Sequence, residues 1–162
     1  MTELFDILIG ECLDSIRHYE SDSIDSIVTD PPAGISFMGK DWDGDKGGRD
    51  EWIDWMSLVA MECLRVIKPG GHAFVWAIPR TSHWTGMAWE KAGWEVRDKV
   101  YHAFGSGFPK SKNFKDEESD FFGWGTALKP AIEEWWLFRK PISEKTIVDN
   151  VNRWGTGAIN ID

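Results

Sequence analysis

Strand and helix signals alternate along this chain, and the alternation predicts an α/β fold with a mostly parallel sheet flanked by helices. Two further observations support that class. A predicted strand stops at Asp30-Pro31-Pro32, because a proline carries no N–H for a ladder and restricts the residue before it. The 162 residues are 42% hydrophobic and 14% aromatic, the length of one domain with enough apolar surface to bury a core. A single domain over residues 1–162 is therefore expected.

The elements follow in order. Residues 4–9 are a short apolar run closed by Gly10 and predict a strand; residues 12–19 predict a brief helix. Residues 23–28 predict the strand that ends at Asp30, and a glycine-rich loop covers residues 34–48. Asp50 is the expected cap of a long helix, in which Trp52, Trp55, Met56, Val59, Cys63, Val66 and Ile67 recur at helical spacing until Lys68-Pro69-Gly70-Gly71 ends it. An apolar strand is expected over residues 72–78, a helix over 82–91 and a strand over 94–104. After a polar connection at residues 105–125 come a strand at 131–139, a helix at 144–154 and the start of an apolar segment at 158–161.

Composition narrows the function classes. Eighteen Lys and Arg against 27 Asp and Glu give a net charge of -9, so adhesion to nucleic acid would depend on a local basic patch rather than on a general field. The two cysteines, Cys12 and Cys63, lie far apart and suggest neither a disulfide framework nor a zinc site. No apolar run approaches ~18 residues, and the N-terminus has no basic flank before an apolar stretch; a cytoplasmic protein without a membrane span is expected. His83 and His102 have no partner at ligand spacing. Asp41, Asp43 and Asp45 lack the closing Glu of a calcium loop, since Trp52 occupies that slot, and they predict a flexible acidic loop.

Asp30-Pro31-Pro32 lies where ligands bind in open α/β sheets, at the C-terminal end of a strand. Together with Gly10-Glu11-Cys12-Leu13-Asp14 upstream and Leu64-Arg65-Val66-Ile67-Lys68-Pro69-Gly70-Gly71 downstream, it resembles the DNA amino-methyltransferases, with a reduced Rossmann-like methyltransferase fold. The stretches from Gly125 to Pro141 and from Trp154 to Asp162 look like those of phage and prophage members. The resemblance implies methylation of the exocyclic amino group of adenine or cytosine in DNA, with S-adenosyl-L-methionine as cofactor. It implies Asp30, Pro31 and Pro32 as catalytic residues and Glu11, Cys12 and Asp30 as cofactor contacts.

The chemistry accounts for these residue types. An exocyclic amino nitrogen is a weak nucleophile because its lone pair is delocalised into the ring. Asp30 accepting one amino hydrogen and the Pro31 carbonyl accepting the other would localise that pair and orient the nitrogen. The base must also leave the duplex, at a cost usually offset by stacking on an aromatic ring. Position 33, where the family usually has that ring, is Ala33. Phe37 and Trp42 are the nearby candidates to replace it, or else anchors of their loop. Lys110 and Lys112, interleaved with Phe108 and Phe114, are candidate DNA contacts in a recognition loop over residues 105–125, or else part of a solvated loop whose field Asp116, Glu117 and Glu118 cancel.

The family's cofactor turn, Phe-x-Gly-x-Gly before a helix, should follow the catalytic half. Phe104-Gly105-Ser106-Gly107 imitates it, but Phe108-Pro109-Lys110 follows where a helix is needed. Weak or absent cofactor binding by the isolated chain is therefore expected, with activity depending on a cofactor-binding half supplied by a longer natural chain or by a complementing partner chain. The alternative is a catalytically inactive module that binds protein or DNA. The two N-terminal strands are expected to pair directly, and exposed strand edges with a heavy aromatic load predict a homo-oligomer.

Overall fold

The computed structural model describes residues 5–107 and 112–161. Helix α1 (Cys12–Ile16) leads into strand β1 (Ile24–Thr29); two single-turn helices at Phe37–Gly39 and Asp41–Asp43 precede α2 (Arg49–Val66). Then come β2 (Ile67–Ala77), α3 (Ser82–Lys91), β3 (Glu95–Ala103), β4 (Ile132–Arg139) and α4 (Ile147–Trp154). The expected α/β class holds.

The sheet order is β1-β2-β4-β3. Strands β1 and β2 are parallel, whereas β4 is antiparallel to both β2 and β3. The expectation of a mostly parallel sheet is corrected here, and the reason lies in the connections. A helix separates β1 from β2 and β2 from β3, so these three strands run the same way. No helix lies between β3 and β4 among the described residues, and without a helical crossover β4 returns antiparallel. It inserts between β2 and β3.

The expected first strand is also absent. Residues 5–9 form no strand, and Phe5, Ile7, Leu8 and Ile9 are exposed. With no neighbouring ladder to satisfy its backbone, this apolar run stays in solvent. The pairing of two N-terminal strands is thereby overturned, and among the described residues β1 is an edge strand bonded only to β2.

Helix α2 forms because Ile53, Met56, Ala60, Cys63 and Val66 recur every three or four residues with Trp52 beside them, and all are buried. Its cap is Gly48 rather than Asp50, which sits in the first turn beside Glu51, where carboxylates favour the helix dipole. With α3 it covers one face of the sheet, around Trp89, which stacks on Phe138 at 5.1 Å and meets Trp94 at 4.8 Å. Such pairs add about 0.5–1.5 kcal/mol each beyond their buried area. Trp136 shares that face, 5.7 Å from Phe138 and against Gly86 of α3, where a Cβ would come within 2.8 Å of its ring.

The Lys68-Pro69-Gly70-Gly71 segment, expected as a helix stop, is a bulge within β2. Ile24 pairs with Ile67 but Ser26 pairs with His72. The bulge is held by α4 and the segment after it. Fully buried Asn150 donates to the carbonyls of Pro69 and Thr156, each at 2.8 Å, and accepts from the Ser143 N–H at 3.1 Å. Gly70 sits at φ +80, and a Cβ there would meet the Asn150 amide at 2.6 Å.

Candidate active site

Asp30 follows the last residue of β1, at the carboxyl end of the parallel pair, where the backbone leaves the sheet and its side chains face the crevice above. It and Pro31 line two cavities at once.

The first cavity has a volume of about 350 Å³. Phe37, Trp42, Trp76 and Phe104 contribute its aromatic lining, and Pro31, Ala33, Ile78 and Pro130 are among its other walls. Its carboxylates are Asp30, Asp43 and Glu133. Partial withdrawal from water, and then the negative charges of Glu133 and Asp43, hold the Asp30 carboxyl above the ordinary aspartate range. Glu133 also lies 3.8 Å from His102.

The Asp43 carboxylate is occupied by its own loop. It accepts the N–H of Ala33, that of Gly34 at 3.2 Å and that of Phe37 at 2.8 Å. Thr81 donates to the Ala33 carbonyl at 2.7 Å, so residue 33 is held on both sides. Gly34, at φ +71, leaves no room for a side chain between Trp52 and Trp84. The expectation of a flexible acidic loop is corrected at Asp43, which is only 2% exposed. A buried carboxylate that satisfies three backbone donors organises a loop instead of loosening it.

The second cavity, about 420 Å³, runs between β1, α1 and α2. Cys12 lines it together with Asp30, Pro31 and Pro32, while Glu11 does not. Cys12 Sγ instead lies 3.5 Å from the Glu11 carboxylate. Loss of water, followed by the Glu11 carboxylate, raises the Cys12 thiol above its usual range. Ile16, Ile24, Ile27, Val59, Val66 and Trp89 make much of this wall apolar, and among the described residues Asp30 is its one charged side chain. S-adenosylmethionine carries an ammonium, a carboxylate, a ribose diol and a purine edge. The residues of this cavity do not fit it by themselves.

The structure thus brings Asp30, Pro31, Ala33, Phe37 and Trp42 to one cavity and Cys12 to the other side of the Asp30 ridge. Lys112 is exposed outside both, its N–H bonded to Thr126 at 3.1 Å. Lys110 falls outside the described residues, as do Phe108 and Pro109. The segment from Lys112 to Gly125 folds back on itself, with Asn113 bridged to Gly125 and Phe121 edge-on to Trp124 at 5.1 Å. No helix follows Gly107 there among the described residues.

Sequence reasoning missed Trp76, Phe104, Glu133 and the role of Asp43. Trp76 was open to discovery, since it stands at the carboxyl end of the neighbouring parallel strand. Glu133 was not, because only the insertion of β4 beside β2 brings it to Asp30.

The family described as DNA methylase matches residues 24–154. The type II methyltransferase M.BamHI of Bacillus amyloliquefaciens is 32% identical over 79 residues, 49% of this chain and 19% of that protein. The DNA adenine methyltransferase YhdJ of Escherichia coli is 35% identical over 71 residues, 43% of this chain and 23% of that one. Among solved structures, the cytosine-N4-specific PvuII DNA methyltransferase superposes with a TM-score of 0.56 at 17% identity, covering 95% of this chain and 56% of that one. The matched regions therefore span about a fifth of the two curated relatives and little more than half of the solved structure.

Proposed function

Because the chain belongs to the DNA methylase family, whose members are DNA amino-methyltransferases, we propose that its aromatic-walled cavity receives a base flipped out of DNA. On this reading the chain supplies the base-side half of methyl transfer to the exocyclic amino group of adenine or cytosine. The supporting observation is the position of Asp30 and Pro31 on a ridge shared by two cavities, one of them lined by Phe37, Trp42, Trp76 and Phe104. A base entering that cavity meets aromatic faces for stacking and a carboxylate at the ridge.

Asp30 accepts one amino hydrogen and the Pro31 carbonyl the other, which takes the nitrogen lone pair out of conjugation with the ring and fixes its direction. The raised proton affinity of Asp30 suits an acceptor for the proton that the nitrogen must release. Phe37 and Trp42 supply the ring that Ala33 lacks. Lys110 and Lys112 contact the DNA backbone.

The family implies S-adenosylmethionine as methyl donor. Since the second cavity offers it too few polar partners, the donor is held mainly by a complementing cofactor-binding segment or chain, with Cys12 and Asp30 on its border and Glu11 beside Cys12. The test is transfer of a labelled methyl group from S-adenosylmethionine to DNA by the chain supplied with such a partner, followed by nucleoside analysis. Methylated adenine or cytosine that disappears in Asp30→Ala is the expected result. A product that survives Asp30→Ala, or DNA binding with no methylation under complementation, would overturn the reading.

A further inference from the structure

We propose that Asp43 is a positioning residue for the base cavity, setting the place of the Phe37 ring through the backbone N–H of Phe37. This rests on the reading that the cavity takes a flipped base. The strain around Phe37 points to it: Ser36 and Met38, on either side, both lie in the left-handed region, at φ +51 and φ +53. Non-glycine residues persist there only where the surroundings over-determine them, and such strain gathers at binding sites. Here the determining group is Asp43. Its Oδ2 accepts from Phe37 at 2.8 Å, its Oδ1 from Ala33 and from Gly34 at 3.2 Å, and its own carbonyl accepts the Ser36 N–H at 2.8 Å.

The carboxylate therefore ties the Phe37 turn to the residues directly after the Asp30-Pro31-Pro32 ridge. Phe37 is 47% exposed and lines the cavity, so packing holds its ring only in part and the backbone decides where it points. Thr81, holding the Ala33 carbonyl at 2.7 Å, gives the tie a fixed anchor. Both carboxylate oxygens are used, and this fixes what a neutral replacement does. Asn offers one oxygen; facing Ala33 and Gly34 it keeps two donors satisfied and turns its NH2 against the Phe37 N–H.

The experiment uses the full chain as D43N, F37A and the double variant. Hydrogen exchange by NMR reads the amides, and fluorescence reads binding of a single-stranded oligonucleotide carrying 2-aminopurine. In D43N the Ala33 and Gly34 amides stay protected while that of Phe37 exchanges faster. Affinity for 2-aminopurine falls roughly tenfold in D43N and in F37A, the scale of one lost base-aromatic stack, and the double variant falls no further. Effects that add in the double variant, or D43N binding as the wild type does while F37A is weakened, would overturn the role of Asp43 and leave the cavity reading standing. A wild-type chain with no affinity for 2-aminopurine would overturn both.

Discussion

Asp30 at the end of β1 and Glu133 in β4 line one cavity, and the charge of Glu133 is, after partial burial, the second cause of the raised Asp30 pKa. The two carboxylates lie more than a hundred positions apart in sequence.

A pH dependence follows. In its proposed role Asp30 must be ionised to accept the amino hydrogen, so the acid limb of the rate profile should stand above the ordinary aspartate value of 3.8. Glu133→Gln removes a repelling charge and should move that limb to lower pH. A limb unmoved by Glu133→Gln in the complemented enzyme would show that the two carboxylates do not interact.

The same shift has a sign in stability. A carboxyl whose folded pKa is raised favours folding below its unfolded pKa, and that contribution is lost as pH rises through the folded pKa. Asp30→Asn removes the penalty for ionising. Its melting temperature should exceed that of the wild type near neutral pH, with the gap closing as the pH falls below the unfolded aspartate value. The rate should fall in Asp30→Asn and fall further, by roughly 10²-fold or more, in Asp30→Ala, because the amide oxygen still accepts a hydrogen bond. Equal losses in the two variants would remove the acceptor role.

The isolated chain should bind S-adenosylmethionine weakly or not at all. Titration calorimetry checks this directly. A dissociation constant near 1 μM, worth about -8.2 kcal/mol, would mean that the residues around Cys12 and Asp30 hold the cofactor unaided.

Asn150→Ala should destabilise the chain by about 1–3 kcal/mol, since it strands the Thr156 carbonyl and the Ser143 N–H near a closed bulge and leaves the Pro69 carbonyl to the Thr156 hydroxyl alone. Denaturant melts read the loss. Gly70→Ala should be at least as damaging, because it combines a positive φ with a clash.

Self-association is expected through the open edge of β1 and the apolar residues at 5–9, where Ile9 is 96% exposed. Light scattering over a concentration series should show mass rising above 18.5 kDa. A monodisperse monomer at high concentration would count against it.

Local pattern determined a good deal by itself. The bounds of α3, Ser82–Lys91, follow from residue types within a few positions, as does the α2 stripe from Trp52 to Val66. The turn at Asp30-Pro31-Pro32 is likewise local, since a proline stops a ladder wherever it stands. Near the N-terminus local pattern misled: residues 5–9 have the composition of a strand, but a strand exists only with a partner, and none of the described residues pairs with it. The bulge at Lys68-Pro69-Gly70-Gly71 likewise depends on Asn150, eighty positions away.

What only the tertiary structure decided is the chemistry around Asp30. Sequence placed the carboxylate at a strand end. The insertion of β4 between β2 and β3 brought Glu133 to it, and the folding of the loop onto Asp43 buried an acid whose spacing suggests an exposed one. The physical reason is common to both: a charge's proton affinity and a loop's shape depend on distances through space, and these are set by strand order and by which backbone donors a buried carboxylate finds.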